Sequence, residues 1–276
     1  MTERIFITGG KGTTGVRIAR LLEAANIPVS LGTRHPTAPT DMRFDWTDLA
    51  SATAFEGCSA AYLVAPTDRI DHLALMQPIL ERAMARGTRR FVLLSSSQLA
   101  PGGPMMGKVH AWLATNVPEW AVLRPSWFME NFSHGPHAPT IREENAIFSA
   151  TGTGRVGFIS ADDIAKSAVA ALTAETPLND DAILTGPEAL SYDDVARLIS
   201  EILSRPIRHV KLETGELVQR HMSLGLPRGY AETLSHLDEI IRADAEDRTT
   251  DAVLRLTGQA PTRFRTFAES NSHLWQ

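Results

Sequence analysis

The chain has 276 residues, of which 43% are hydrophobic and 21% charged, an ordinary globular composition that excludes a disordered or fibrous protein. A chain of this length buries about three quarters of its unfolded surface, so its core needs neither disulfide nor metal, and one large domain or two small ones are expected. The formal net charge of −5 is scattered along the sequence, and Cys58 is the single cysteine, which removes the usual electrostatic reason for nucleic-acid or membrane-surface binding and excludes an intrachain disulfide.

The N-terminus carries no basic-then-apolar leader pattern, because Glu3 and Arg4 run straight into Ile5-Phe6-Ile7. That tripeptide reads as a buried strand. Val16, Ile18, Ala19, Leu21 and Leu22 then mark the apolar stripe of a helix. Val29-Ser30-Leu31 is a second strand, closed by Gly32-Thr33-Arg34 and a turn at Pro36, and a short helix is expected over 48–55. Further strands are expected at 60–64, 91–94 and 121–123, with helices over 70–85 and 109–114, the last strand stopping at Arg124-Pro125. Residues 156–159 suggest another strand, 163–172 a helix, and 182–184 one more strand of the main sheet. From Ser191 on, the chain reads as helical pieces broken by Pro206, Pro227 and Pro261, and Ser191 with Asp194 forms a capping box that opens the first of them.

Short apolar strands alternating with helices indicate a parallel sheet covered on both faces, hence an α/β, Rossmann-type doubly wound fold. The change of composition near 186–190 suggests a nucleotide-binding domain over 1–187. A smaller, mainly helical C-terminal substrate lobe then spans 188–276, with 132–150 contributing to it.

Thr8-Gly9-Gly10-Lys11-Gly12-Thr13-Thr14-Gly15 lies between the first strand and the first helix. Small residues at Gly9, Gly10, Gly12 and Gly15 permit a tight turn, close approach to a pyrophosphate and close helix–strand packing. The N–H groups of the helix start, at Thr13 and Thr14, then favour the anion. Gly152, Gly154 and Gly157 repeat the spacing but lead into a strand-like run, and they read as an ordinary loop. Strand two ends Thr33-Arg34-His35 without an acid. A carboxylate there would select NAD, whereas Arg34 can pair with a 2'-phosphate, so NADPH/NADP is the expected cofactor; the alternative for Arg34 is a solvated surface arginine.

With these motifs in hand, the chain resembles the NmrA-like branch of atypical short-chain dehydrogenases/reductases, and within it festuclavine/agroclavine dehydrogenase-like proteins. Phe44-Asp45-Trp46-Thr47-Asp48 is similar to that family's acidic strand-end motif near the adenine, and Tyr62-Leu63-Val64-Ala65-Pro66 to its wall along the adenosine. The run from Leu123 to Phe132, Leu-Arg-Pro-Ser-Trp-Phe-Met-Glu-Asn-Phe, resembles its loop beside the nicotinamide. Phe158 to Ala165 and Leu184 to Pro187 match further. The resemblance implies cofactor contacts at Asp45, Trp46, Ala65, Pro66, Pro125, Ser126, Trp127 and Phe128. The serines Ser95, Ser96 and Ser97 end a strand at the cofactor crevice; one hydroxyl can bond the nicotinamide amide or ribose, or the three simply form a strand-end turn.

Typical short-chain reductases carry Tyr-x-x-x-Lys, the tyrosine protonating the developing alkoxide. Here Tyr62, Tyr192 and Tyr230 are followed four residues on by Pro66, Ala196 and Leu234. The family positions fall instead on Met106 and His110. Methionine offers no useful proton, so a ketone lacks its acid, whereas an iminium ion is already activated and needs only hydride. His110 holds the nicotinamide ribose, acts as a weak acid, or is simply a helix histidine. Lys108 points to another face of the same helix.

Other signals lead nowhere. Residues 102–108 match most of a P-loop, but Val109 replaces the Mg²⁺-binding hydroxyl and Pro104 interrupts the amide cradle. No Gly-x-Ser-x-Gly elbow is present. His134 and His137 are the only closely spaced histidines, in an expected loop, and without thiolates or His-Glu-x-x-His no metal is expected. They are candidates for the substrate pocket together with Trp127 and Asn131. The expected protein is therefore cytoplasmic, a monomer or homodimer. It reduces a small cyclic imine or iminium of alkaloid-type metabolism with NADPH, the C-terminal lobe closing over the substrate. The alternatives are an NADPH-dependent quinone or carbonyl reductase and a non-catalytic NADP(H) redox sensor.

Overall fold

The computed structural model describes residues 4–66 and 69–276; Glu3, cited above with Arg4, lies outside them. The elements in chain order are β1 (Arg4–Ile7), α1 (Gly15–Ala24), β2 (Val29–Thr33), β3 (Asp41–Arg43), β4 (Cys58–Val64), α2 (His72–Ala85) and β5 (Arg90–Leu94). They continue with α3 (Met106–Asn116), β6 (Glu119–Pro125), α4 (His137–Glu144), β7 (Ala146–Ser149), β8 (Arg155–Val156), α5 (Ala161–Thr173) and β9 (Asp180–Leu184). The last are β10 (Leu190–Ser191), α6 (Tyr192–Leu203), β11 (Arg208–Lys211), α7 (Thr214–Ser223), α8 (Arg228–Arg242), α9 (Ala252–Thr257) and α10 (Phe264–Asn271).

The chain divides into two compact units, one of residues 1–125, 161–184 and 252–259, the other of 126–160, 185–251 and 260–276. The division expected after 187, with 132–150 contributing to the C-terminal lobe, becomes five crossings of the chain between units. Among the described residues, the first unit carries a parallel seven-stranded sheet in the order β3-β2-β1-β4-β5-β6-β9. This is the doubly wound α/β fold, with β9 in the place expected for the strand at 182–184. Strand residues Phe6, Ala61, Leu63, Phe91, Leu93 and Val122 are fully buried, which is why these strands read as unbroken apolar runs rather than alternating ones. Phe6 packs edge-on against Phe44 at 5.3 Å and Phe55 at 4.7 Å. Such rings each remove 150–250 Å² from water by a general estimate of about that size, so this cluster dominates the core beside β1.

The second unit has its own core, built on Phe132, Phe158, Tyr192, Phe264 and Trp275, with the Trp275 indole N–H donating to the Phe132 carbonyl at 2.6 Å. It is less purely helical than the sequence suggests. β7 and β11 form a parallel pair, and β8 and β10 an antiparallel one. Several local expectations change in detail. The helix over 48–55 is a 3-10 helix at Leu49–Phe55 opened by the Asp48 carboxylate, β6 runs through Arg124-Pro125, and the strand over 156–159 shrinks to Arg155–Val156. His137 opens α4 instead of lying in a loop. The second glycine match is indeed a turn into a strand. Its glycines serve packing, since a Cβ on Gly157 would sit 2.6 Å from the Arg248 carbonyl oxygen.

Candidate functional site

In the first unit the strand order reverses between β1 and β4, and in an open α/β sheet that reversal opens a crevice at the carboxyl edge. The glycine loop lies there. Gly10 N–H donates to the Gly32 carbonyl at 3.1 Å and Gly12 N–H to that of Gly9 at 2.9 Å. Gly9 has φ of +65°, and a Cβ on Gly10 would come 2.7 Å from the Leu31 Cβ. A Cβ on Gly15 would overlap the Gly9 carbonyl oxygen. Packing on β4 and β2 demands glycine at 9 and 10, and packing of the loop on itself demands it at 15. Among the described residues the N–H groups of Thr13 and Thr14 have no acceptor, and they stand at the start of the ten-residue α1. Two free amides at the positive end of a helix fit a diphosphate.

The loop is braced by groups that the spacing argument missed. Thr8 Oγ1 accepts the Val64 N–H at 2.7 Å, tying the end of β1 to the end of β4. Buried Tyr62 donates its hydroxyl to Thr14 Oγ1 at 3.2 Å; burial pushes this phenol above its ordinary pKa, so it braces the loop and carries no mobile proton. Lys11 pairs with Asp41 at 2.8 Å. The Lys11 ammonium, with the Thr37 and Ala38 N–H groups, brings the Asp41 carboxyl down to about 2.

Arg34 follows the last residue of β2 with its side chain exposed. Asp45 accepts the N–H and hydroxyl of Thr47 at 2.9 and 2.8 Å, and these bonds, then the charges of Arg34 and Arg43, hold its carboxyl below the usual range. The Trp46 indole donates to the Val64 carbonyl at 2.9 Å. Ala65 is buried, and the Pro66 carbonyl is bonded by buried His72 Nε2 at 3.0 Å. Gly9–Gly15, Arg34, Asp45, Trp46, Ala65 and Pro66 thus gather at the carboxyl ends of four adjacent strands.

Further along the same edge, Ser95 N–H is fixed to the Leu123 carbonyl at 2.8 Å and Ser97 N–H to that of Pro125 at 3.0 Å. Ser95 Oγ is buried without a partner, while Ser96 Oγ accepts the Gln98 N–H at 3.5 Å. Arg124 clamps this strand end, pairing with Asp181 at 2.5 Å and donating to the Ser97 carbonyl at 2.9 Å. Met106 is the first residue of α3 and packs against the core. His110 is 2% exposed, its ring 5.7 Å from that of Trp120 and its Nδ1 without a partner. Burial lowers its pKa, so the imidazole is neutral at pH 7 and is no resting acid.

The remaining candidates belong to the second unit. Ser126 Oγ bonds the Gly157 carbonyl, and Trp127 and Met129 exchange backbone bonds with Ile159, beside a bridge between Phe128 and Ile159. Asn131 lies in the 3-10 turn that follows. His134 Nδ1 shares a 2.8 Å bond with Ser133 Oγ. His137 stacks on Phe132 at 5.0 Å and meets the Tyr192 ring edge-on at 5.6 Å; burial lowers its pKa to about 4. These residues are held by the packing of the unit, and among the described residues no group of three His, Cys, Asp or Glu stands close enough to hold a metal. No described helix is long and apolar enough to cross a membrane.

No family model matches the chain. Agroclavine dehydrogenase of Claviceps fusiformis is 41% identical over 98% of both chains. Festuclavine dehydrogenase of Aspergillus fumigatus is 36% identical, again over 98% of each. Among solved structures, an NADPH-dependent quinone oxidoreductase of Escherichia coli, complexed with NADPH, superposes with a TM-score of 0.84 over 99% of this chain and 100% of its own, at 20% identity. That last likeness speaks for the fold alone.

Proposed function

We propose, because the chain belongs to the family of agroclavine and festuclavine dehydrogenases, that it is an NADPH-dependent oxidoreductase whose acceptor is the C=N bond of a small cyclic imine or iminium ion. When bound, NADPH supplies a hydride. The free amides of Thr13 and Thr14 hold the diphosphate, Arg34 faces the 2'-phosphate, and Trp46, Ala65 and Pro66 flank the adenosine. The unpartnered Ser95 hydroxyl offers the nicotinamide end a hydrogen bond. His110, neutral and fixed beside Trp120, shapes that end of the site without protonating anything.

One observation carries the choice of acceptor. The positions that resemble the proton-donor pair are a methionine at the start of α3 and a buried, neutral histidine one turn on. A positioned general acid contributes about 10²- to 10⁴-fold to a reaction that needs one. A ketone therefore forfeits that factor here and an iminium ion does not. The reading is tested by following NADPH oxidation with N-methyl-3,4-dihydroisoquinolinium, a neutral cyclic imine, menadione and cyclohexanone. The iminium salt is expected to exceed the ketone in kcat/KM by about 100-fold or more, on the same general-acid factor. Turnover of the quinone or ketone with none across the imines would reject the acceptor and leave the reductase. Tight NADPH binding with no turnover of any acceptor would favour a redox sensor.

A further inference from the structure

The second unit contains a partly buried carboxylate, Asp238, that makes no ion-pair contact among the described residues. Asp238, in the middle of α8, has one hydrogen-bond partner among the described residues, the Ala150 N–H, at 2.7 Å from Oδ2. The cation one turn on, Arg242, is turned elsewhere: its guanidinium bonds Glu213 at 3.0 Å and the Leu212 carbonyl at 3.2 Å. Lys211 is paired with Asp193 at 2.8 Å, and Arg220 with Glu144 at 2.5 Å. Burial pushes the Asp238 carboxyl up to about 6, against the smaller opposing effects of Ala150 and Arg242. Partial burial of a carboxylate without an ion-pair contact is costly, and one backbone N–H and the field of Arg242 offset only part of that cost.

Two neighbouring groups are also left open. Ser235, three residues earlier and therefore on the same face of α8, is fully buried with its Oγ unpartnered. Tyr192, on α6, makes no hydrogen bond through its hydroxyl among the described residues, and the Asp238 charge helps to raise its pKa. The Tyr192 ring belongs to an aromatic cluster with Phe132, Phe158, His137 and His209, all at 5.6–5.7 Å. Burial lowers the pKa values of His137, His209 and His221, so none of these imidazoles supplies a resident cation at pH 7. An anion without an ion-pair contact, a free hydroxyl and aromatic rings are the groups that bind an organic ammonium or iminium ion.

We propose that Asp238, with Ser235 and Tyr192, recognises the positively charged nitrogen of the substrate. This rests on the imine reading above and deepens it, by making the cation and not the neutral imine the bound form. Above pH 6 the carboxylate is ionised and binds the cation. As pH falls through about 6 it takes up a proton and the attraction is lost. The charged and titratable groups around it (Arg242 on α8, Glu213 before α7, His221 on α7, His209 and Lys211 on β11, Tyr192 and Asp193 on α6) are shared by any variant at 238, so the difference between variants isolates Asp238.

The test is calorimetric titration of the full chain with N-methyl-3,4-dihydroisoquinolinium and with a neutral methyl-dihydronaphthalene of the same shape, between pH 5 and 8. Asp238→Asn keeps an acceptor for the Ala150 N–H, and Asp238→Glu restores the charge. The wild type is expected to bind the cation at pH 8 at least tenfold more tightly than the neutral compound and to lose that preference by pH 5. Asp238→Asn is expected to show no preference at any pH, and Asp238→Glu to regain part of it. Equal binding of the cation by wild type and Asp238→Asn, or no preference in the wild type, overturns the proposal. Selective binding without NADPH oxidation would uphold the cation site and sink the imine-reductase reading; iminium turnover with a KM unchanged in Asp238→Asn would do the reverse.

Discussion

In the proposed function Arg34 and Asp45 make opposite claims on the adenosine of the nucleotide, and their surroundings favour Arg34. A carboxylate at the end of β2 would accept a ribose hydroxyl and favour NADH; Asp45, just beyond β3, takes both donors of Thr47 on Oδ1 and lies in the field of Arg34 and Arg43. β2 and β3 bring these arginines together, since Thr33 pairs with Arg43 in register. Two guanidinium groups beside one carboxylate would suit a 2'-phosphate. Hydrogen bonds to a charged group contribute about 1.5–3 kcal/mol, and solvent around exposed Arg34 weakens its share. Arg34→Glu is thus expected to raise the KM for NADPH about tenfold or more, each tenfold being about 1.4 kcal/mol. NADH should be affected far less, because it has no phosphate to repel. Steady-state kinetics with both nucleotides would expose the error: a matching rise in the two KM values means Arg34 does not read the phosphate.

Among the elements, α6 has its start written in four consecutive residues. Ser191 Oγ accepts the Asp194 N–H at 3.1 Å, and the Asp194 carboxylate accepts the Ser191 N–H at the same distance. This box fixes the helix that carries Tyr192, Val195 and Ile199 into the core of the second unit. Loss of such a cap costs about 1 kcal/mol, so Ser191→Ala should lower the melting temperature by roughly 2–4 °C in a chain of this size, and Ser191→Thr should recover most of it. A calorimetric scan showing no decrease for the alanine variant would mean that the box is redundant. The same locality explains what was legible. The glycine loop, the apolar strands of the sheet and this cap are each contained in a few adjacent residues. β11 is not: Arg208-His209-Val210-Lys211 has one apolar residue among polar neighbours and becomes a strand only by pairing with β7, some sixty positions earlier. β3 is likewise a three-residue strand made by its neighbour β2. Asp238 reads in sequence as an ordinary surface charge on an amphipathic helix, and only the fold sets it against Ala150. Lys11 was visible within the glycine loop, but its partner Asp41 was not.

At the scale of the whole molecule, the chain's route between the two units has a consequence for any attempt to divide it. A cut after residue 187, where the composition changes, would leave the first unit without α9, which packs on α5 and β9. It would also leave 126–160 attached without the rest of their own core. Phe132 and Phe158 would lose the rings of Tyr192 and Phe264, and Phe132 would lose the Trp275 indole bonded to its carbonyl. Burying one large apolar side chain is worth about 1.5–3 kcal/mol, and whole domains are stable by only about 5–15 kcal/mol. Exposing two aromatic rings and the apolar strand residues beside them is therefore enough to matter, even with the seven-stranded sheet intact. The fragment 1–187 should form inclusion bodies or melt without a cooperative transition, and it should bind NADPH at least tenfold more weakly than the full chain. Circular dichroism melts and NADPH titration of the two proteins side by side decide it, since a fragment with a sharp transition and undiminished affinity would mean that the first unit folds without the segments supplied after residue 187.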